Sequence, residues 1–600
     1  VHPLISRDRV ESEARGTNFI GTLYAELQPI KELTLTSKLG YRISSTSSYS
    51  YSKVYYVSAI AHADKISVAR TNSNSVYYQW ENYANYTKQI GDHSLTGMAG
   101  ISYSQPYHDS VSGSGDEITK DNPLFRDLNY LTPTATKGVS GGYSEEGRQF
   151  SYFGRVSYNY KNKYLAQASV RRDASDLSVL PEGNRWGTFP AASLGYVISE
   201  EDFFPQSTLI DNLKLRASWG QNGSIGPLGG YRYAATISSP ASYPYYPDFR
   251  YQVASYPTKL ENPELKWETS EQLNLGFDIT AFDNRLNFAF DYFNKKTRDL
   301  LVDIAPPYET GVGAVTVNAG NVLNKGLEFE VGWRDQIGDF NYSVRGNLST
   351  LTNEVTYLDP SISRISGANF HTNQGITVFE EGYPIWYMRG YKLLDVDDAT
   401  GDPIYEDQLT IDSDGDGIKD EKDGLINDDD KVMLGSAIPD FNYGVTLNAS
   451  WKGVDLTVFG TGSQGNDIFL ALTRNDRPRG NRLTEFYYDR WTPENTAASK
   501  PRPNSNGVDK YWVSDDVVFD GSFFKIKQIQ LGYSLPKRII NKIAMSNLRV
   551  YVSFDDWFTF TDYPGFDPEA ASAGATSSLG VDKGTYPISR KTTFGVNITF

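Results

Sequence analysis

The sequence predicts an all-β fold, a transmembrane antiparallel β-barrel with long extracellular loops, and three observations predict it. Apolar and polar residues alternate at period two from end to end. The alternating segments read as roughly nine to twelve residues, the length of a tilted membrane crossing and longer than the usual strand of a soluble sheet. The connections between them come in two unequal kinds, short and long, as the two rims of a barrel require.

In chain order, Leu33, Leu35, Leu39, Tyr41 and Ile43 are separated by Thr34, Thr36, Lys38 and Arg42, and Leu213, Leu215, Ala217 and Trp219 by Lys214, Arg216 and Ser218. Leu273 to Ile279 and Leu286 to Tyr292 repeat the pattern, followed by Leu327 to Trp333 and Phe340 to Val344. Counting such segments gives about 18 strands. Their polar faces carry Asp, Glu, Lys, Arg, Asn and Thr, which suits a watery lumen and not the dry interior of two packed sheets. A string of soluble β-sandwiches would show the same alternation, but no linker divides these segments. In the strand from Lys525 to Leu535, Phe524 and Ile526 share one parity while Ile529, Leu531, Tyr533 and Leu535 share the other. A bulge near Lys527 and Gln528 is therefore expected, since without one half the apolar set would face the lumen.

Short connections such as Phe282-Asp283-Asn284 and Lys452-Gly453 alternate with long polar ones, Gln105 to Arg148, Gln221 to Lys266, Asn353 to Gly382, Asp395 to Phe441 and Asp467 to Asp516. Loops of that length are uncommon unless functional. They suggest a capturing surface, for which Tyr243, Tyr245 and Tyr246 in SYPYYPDFRY are candidate substrate contacts, Tyr being a rigid amphipathic side chain. Packing within the loops is an equal reading for any one of these tyrosines.

Composition narrows the function. The 600 residues are 39% hydrophobic with formal net charge −16, which disfavours binding to a nucleic-acid backbone. The absence of cysteine removes disulfides, zinc–thiolate sites and thiol nucleophiles. Tyrosine stands at 42 against 4 Met, a balance suited to interfaces. No apolar run is long enough for a membrane helix, and the opening VHPLISRDRV shows no secretion signal. His2, His62, His93, His108 and His371 lack metal-ligand spacing, Gly460, Gly462 and Gly465 match G-x-G-x-x-G outside any parallel unit, and no catalytic constellation is present, so an enzyme is not expected.

One motif carries chemistry. DSDGDGIKDEKD places Asp412, Asp414, Asp416, the Ile418 carbonyl, Asp420 and Asp423 at positions one, three, five, seven, nine and twelve of an EF-hand-type loop, with Gly417 at the sixth. This predicts a structural calcium site within the 395–440 loop; Asp423 replaces the usual Glu, and a solvated acidic turn is the plainer alternative. At the C-terminus Phe594, Val596, Ile598 and Phe600 alternate with Thr593, Gly595, Asn597 and Thr599. A strand ending on an aromatic resembles the signal by which the outer-membrane assembly machinery recognises barrels.

Several stretches together resemble the SusC/RagA-like, TonB-dependent outer-membrane transporters of the Bacteroidetes: NRWGTFPAASLGYVISEEDFF (Asn184 to Phe204), DNLKLRASWGQNG (Asp211 to Gly223), ENPELKWETSEQLNLGFD (Glu261 to Asp278), NAGNVLNKGLEFEV (Asn318 to Val331), LGSAIPDFNYG (Leu434 to Gly444), KGVDLTVFGTGSQGNDIF (Lys452 to Phe469) and SFFKIKQIQLGYSLP (Ser522 to Pro536). The resemblance implies a barrel of about 22 strands, closed by a plug, of which residues 1–600 are the C-terminal part. It further implies a gram-negative outer-membrane location, energy from a TonB–ExbB–ExbD complex, a SusD-type surface lipoprotein acting as a lid, and an oligosaccharide or oligopeptide as cargo. A passive porin or a calcium-dependent surface binding protein is the alternative.

Overall fold

A computed structural model describes residues 8–600 except 60, 206–208, 227, 246–249, 305, 368, 371–373, 473–482, 541–544 and 571–575. Nineteen strand segments form one antiparallel sheet. In chain order they are β1 (Val10–Ile30), β2 (Leu33–Ser52), β3 (Ser67–Ile90), β4 (His93–Asp116), β5 (Lys137–Ser144), β6 (Gln149–Tyr160), β7 (Tyr164–Ser175), β8 (Trp186–Val197), β9 (Ile210–Ser224) and β10 (Glu268–Ala281). They continue as β11 (Leu286–Ile304), β12 (Val315–Ile337), β13 (Phe340–Thr350), β14 (Thr352–Leu358), β15 (Phe441–Trp451), β16 (Val454–Gln464), β17 (Phe523–Ser534), β18 (Asn547–Thr561) and β19 (Lys591–Thr599). Each pairs with its sequence neighbours, except that β5 and β6 lie end to end along β4, and β13 and β14 end to end along β12. The ladder thus has two fewer positions than segments, in keeping with the count read from the alternation. Among the described residues β1 pairs only with β2 and β19 only with β18.

The alternation becomes two faces. Leu35, Leu39 and Ile43 of β2, Leu215 and Trp219 of β9, Leu273 and Leu275 of β10, and Val445 and Leu447 of β15 all present their side chains outward and exposed. That is a lipid-facing band, and it accounts for a wall with few buried residues. The inward face holds ion pairs across strands: Lys38 with Glu81, Arg216 with Asp278 and Asp291, and Arg549 with Asp455. Chain turns at one rim are tight: Lys161 and Asn162, Phe282 to Asn284, Gly338, and Lys452-Gly453 all take positive φ, the conformation that two- to four-residue hairpin connections demand.

Strand length departs from the sequence reading. β3 and β4 each run 24 residues, about 80 Å at ~3.3 Å per residue, so each crosses the membrane and continues well beyond it. The Gln105 connection is therefore strand as far as Asp116, and Asn353 lies within β14. Outside the membrane no lipid-facing band is required, so Ser and Thr fill most positions, as in SSTSSYSYS, where only Tyr49 and Tyr51 pack against Val68 and Ile118, and the hydrophobic period lapses while the hydrogen-bond ladder persists. The bulge in β17 is where its alternation requires it: against β16 the register shifts between Ile526 and Gln528, with Lys527 as the extra residue, and β18 bulges beside it, placing Asp556 and Trp557 opposite Lys527.

Candidate functional site

The long connections on the opposite rim are not loose. Short strands Ile365–Ser366, Thr377–Phe379, Tyr387–Gly390 and Val432–Gly435 form a four-stranded sheet, and Asp467–Leu470 joins Val518–Asp520 and Val581–Asp582 in another. Between them lies a core of Ile376, Met388, Ile468, Phe469, Leu470, Tyr511, Trp512, Val513, Val517 and Tyr563. Phe469 and Met388 are wholly buried. The tyrosines here serve packing: Tyr511 stands edge-on to Phe486, Tyr405 hydrogen-bonds the Gly507 carbonyl at 2.9 Å, and Tyr563 donates to Asp582 at 2.7 Å. Burial pushes the Tyr405 and Tyr563 hydroxyls far above their ordinary pKa, so both stay neutral donors. A smaller core of Val179, Leu180, Phe189, Leu265 and Trp267 supports the neighbouring connection.

This body is pinned to the wall by charge. Lys525, 2% exposed on β17, places Nζ 2.5 Å from Asp567 Oδ1 and 2.9 Å from Glu569 Oε2, both on the connection between β18 and β19. Lys527, at the bulge, reaches the same Glu569 at 2.5 Å and Asp556 at 3.2 Å. The bulge thus turns two lysines of one strand toward one loop. Burial pushes the Asp567 and Glu569 carboxyls up, but the lysine contacts, with backbone N–H groups at Asp567, outweigh it and hold both below the usual range. Nothing in the alternation announces this cluster. Its one visible signal is the pair Lys525 and Lys527 flanking Ile526 where the alternation of the strand changes parity.

Below the body the lumen is polar. Arg216 forks between Asp278 and Asp291, with four contacts of 2.8 to 2.9 Å. Gly276 lies between them, where a Cβ would meet Asp291 Oδ1 at 2.4 Å, so only glycine leaves room for the fork. Arg216, Lys214, Gln167, Ser218 and Asn274 line a recess of about 390 Å³. These groups offer hydrogen bonds to a hydrated solute, and they include no nucleophile–base pair.

The acidic motif sits at the tip of a hairpin formed by Leu409–Ile411 and Glu421–Lys422. Carboxylate oxygens of Asp412, Asp414 and Asp416 lie within 4.8 Å of one another. Gly415 and Gly417 turn at φ 79° and 89°, and their N–H groups donate to Asp412 at 2.7 and 2.9 Å. Those bonds hold the Asp412 carboxyl below its usual pKa. Asp420 accepts both bonds of Ser413, and Asp423 accepts from Leu425 N–H and the Asn427 amide, so these two stand outside the three-carboxylate group. Ile418 is exposed next to the cluster.

Of the other candidates, Tyr243 and Tyr245 lie on a strand, Ile237–Tyr245, paired with Arg250–Pro257, while Tyr246 falls outside the described residues. Phe594, Val596 and Ile598 point outward on β19, whose partner is β18, and Phe600, the residue after the strand, is 85% exposed. Gly460 and Gly462 are residues of β16 and form no phosphate loop.

A family model for TonB dependent receptor-like β-barrels matches residues 5–464. The chain is 32% identical to TonB-dependent receptor P3 of Formosa agariphila over 533 residues, covering 87% of this chain and 52% of that protein. It is 25% identical to TonB-dependent receptor SusC of Bacteroides thetaiotaomicron, covering 100% of this chain and 57% of SusC. The RagAB peptide transporter shares its fold, with a TM-score of 0.81 at 24% identity, covering 100% of this chain and 63% of that one. The chain thus spans little more than half the length of these curated relatives. A lipid-facing wall, a polar lumen and a family match across most of the sequence agree: the chain belongs to the TonB-dependent receptors, as a SusC/RagA-like outer-membrane β-barrel.

Proposed function

We propose that this barrel is the transmembrane part of an active importer that takes an oligomeric nutrient, an oligosaccharide or an oligopeptide, across the outer membrane. The observation that carries the reading is the asymmetry of the rims. One has tight turns, while the other carries a folded body with its own core above a polar lumen. A rigid capturing platform above a hydrated path suits import, and family membership supplies the energy source, a TonB–ExbB–ExbD complex. In this reading a SusD-like lipoprotein closes over the body, and the barrel assembly machinery recognises Phe594, Val596, Ile598 and Phe600. The receptor acts as a transporter and not an enzyme. Uptake of labelled oligosaccharides and oligopeptides by cells carrying the full-length receptor, with and without a proton uncoupler, tests it. Energy-dependent accumulation of one class supports the reading; uptake indifferent to the uncoupler makes the barrel a passive pore.

The hairpin tip binds calcium in the same reading, with Asp412, Asp414 and Asp416 as the core donors. Its support is the convergence of three carboxylates on a loop already turned by Gly415 and Gly417.

A further inference from the structure

β5 is an unpaired sheet edge standing outside the membrane. β4 pairs with β6 over His93 to Ser104, which already provides the roughly 9–11 residues of a crossing, and with β5 over His108 to Gly115, further from the tight-turn rim. On the far side the next strand, β7, pairs with β6 as far as Ser175 opposite Gln149 and then leaves the wall. The continuation of the wall above that level therefore has a neighbour on one side only: among the described residues β5 pairs with β4 and with no other strand. In an antiparallel ladder alternate residues turn N–H and C=O to opposite sides, so every second residue of β5 directs both groups away from β4.

Natural edges of this kind are blunted by proline, bulges or inward charge. β5, KGVSGGYS, has no proline, keeps regular register with β4 throughout, and carries one charge, at its first residue. Val139 is 85% exposed and Tyr143 74% exposed. Gly138, Gly141 and Gly142 leave the strand thin, and a Cβ on Gly142 would touch nothing. Glycine inside a strand marks a place where another backbone can come close. The matching chemistry is a second extended backbone, with alternating donors and acceptors at strand spacing and side chains to cover Val139 and Tyr143.

We propose that β5 receives an extended segment of the lid lipoprotein as an added strand, so that the lid is hinged to the receptor through backbone hydrogen bonds at this edge. The proposal rests on the partner named above, and it commits to that partner because β5 stands on the rim that bears the capturing body.

The test is hydrogen–deuterium exchange of the full-length receptor, alone and mixed with a SusD-like lipoprotein, together with Val139→Pro and Ser140→Pro. Because adjacent residues face opposite sides, one proline removes an outward N–H and the other an N–H of the β4 ladder. The expected result is at least tenfold slower exchange at β5 in the complex, with the outward proline weakening lid binding at least tenfold while the receptor stays folded. A complex that leaves β5 exchanging as in the free receptor overturns the proposal. Protection already complete in the receptor alone also overturns it, since the receptor would then cover its own edge. Failure of the two proteins to associate at all removes the partner reading and this proposal with it.

Discussion

The barrel wall and the body on its outer rim bury their apolar residues in opposite ways. On β15 the large side chains Val445 and Leu447 are exposed by more than a third, because their intended solvent is lipid. In the body Phe469, Met388 and Ile468 are buried to 1% or less, as in a water-soluble domain. Stability in the wall comes from a backbone ladder with few alternatives, since an unpaired N–H or C=O in hydrocarbon costs several kcal/mol. Stability in the body comes from packing, which single side chains control. The same kind of substitution should therefore have unequal effects in the two regions, while changes of register should be fatal in the wall.

The largest effect is expected from deleting Thr446 in β15, whose register with β13 and β16 is regular throughout. Without that residue, either Tyr443 and Val445 or Leu447 and Trp451 must turn into the lumen, and Asn442 or Asn448 into lipid. The receptor should fail to assemble, seen as loss of the heat-modifiable folded band on a gel. A folded receptor lacking Thr446 would mean that the ladder tolerates a slip that the alternation forbids.

Next, Phe469→Ala should cost about 3–5 kcal/mol by opening a cavity in the body. Limited proteolysis should cut between Gly367 and Val581 while the folded barrel band persists. Leu447→Ala on the lipid face removes similar apolar area without a protein cavity and should leave both readouts near those of the parent. Equal damage from the two would dissolve the distinction between wall and body.

The two regions also differed in how far the sequence disclosed them. Inside the membrane each inward or outward position has one acceptable chemistry, so Leu213 to Trp219 or Leu273 to Ile279 disclosed strand, face and phase, and even the fault at Lys527 showed as a change of parity. Above the membrane that constraint lapses. Ser44 to Ser52 continue β2 with no hydrophobic period to betray it, and Phe469 and Trp512 meet across more than forty residues of sequence through contacts that no local pattern encodes. The candidate site divided likewise. Asp412, Asp414 and Asp416 are local and were legible from spacing, whereas the cluster of Lys525, Asp567 and Glu569 joins a wall strand to a connection more than forty residues away and became visible only in the fold.

That cluster is the joint between the regions, and breaking it should have an intermediate effect. Lys525→Met leaves Asp567 without its cation in a buried site while Glu569 keeps Lys527. A cost of about 3 kcal/mol follows, at the low end for breaking a buried pair, and it should appear as faster proteolysis of residues 562–590 with the core around Phe469 intact. The pH dependence has a fixed sign. Asp567 and Glu569 have depressed folded-state pKa values, so their contribution is present above the unfolded values of about 4 and is lost as pH falls through the depressed ones. Cleavage of this segment by an acid-tolerant protease should therefore rise as pH drops below about 4, and Lys525→Met should flatten that rise. A pH response unchanged in the variant would place the titrating groups elsewhere.

The smallest effect belongs to the hairpin tip, where neither lipid nor a packed core constrains the chain. Asp412, Asp414 and Asp416 are exposed and held by short-range bonds to Gly415, Gly417 and Ile418 N–H groups, so the loop keeps its turns without help from the body. Calcium would add stability here by offsetting the repulsion of three carboxylates within 4.8 Å. Asp412→Asn with Asp414→Asn should weaken calcium binding at least tenfold in isothermal titration of the full-length receptor, and make cleavage between Ser413 and Lys419 insensitive to calcium. Thermal unfolding of the wall and proteolysis around Phe469 should stay as in the parent, because the hairpin shares no buried residue with either. If chelation instead lowered the unfolding temperature of the whole receptor, the tip would have to be coupled to the body, and the division of this molecule into an autonomous wall, a packed body and an independent metal loop would be wrong at its third part.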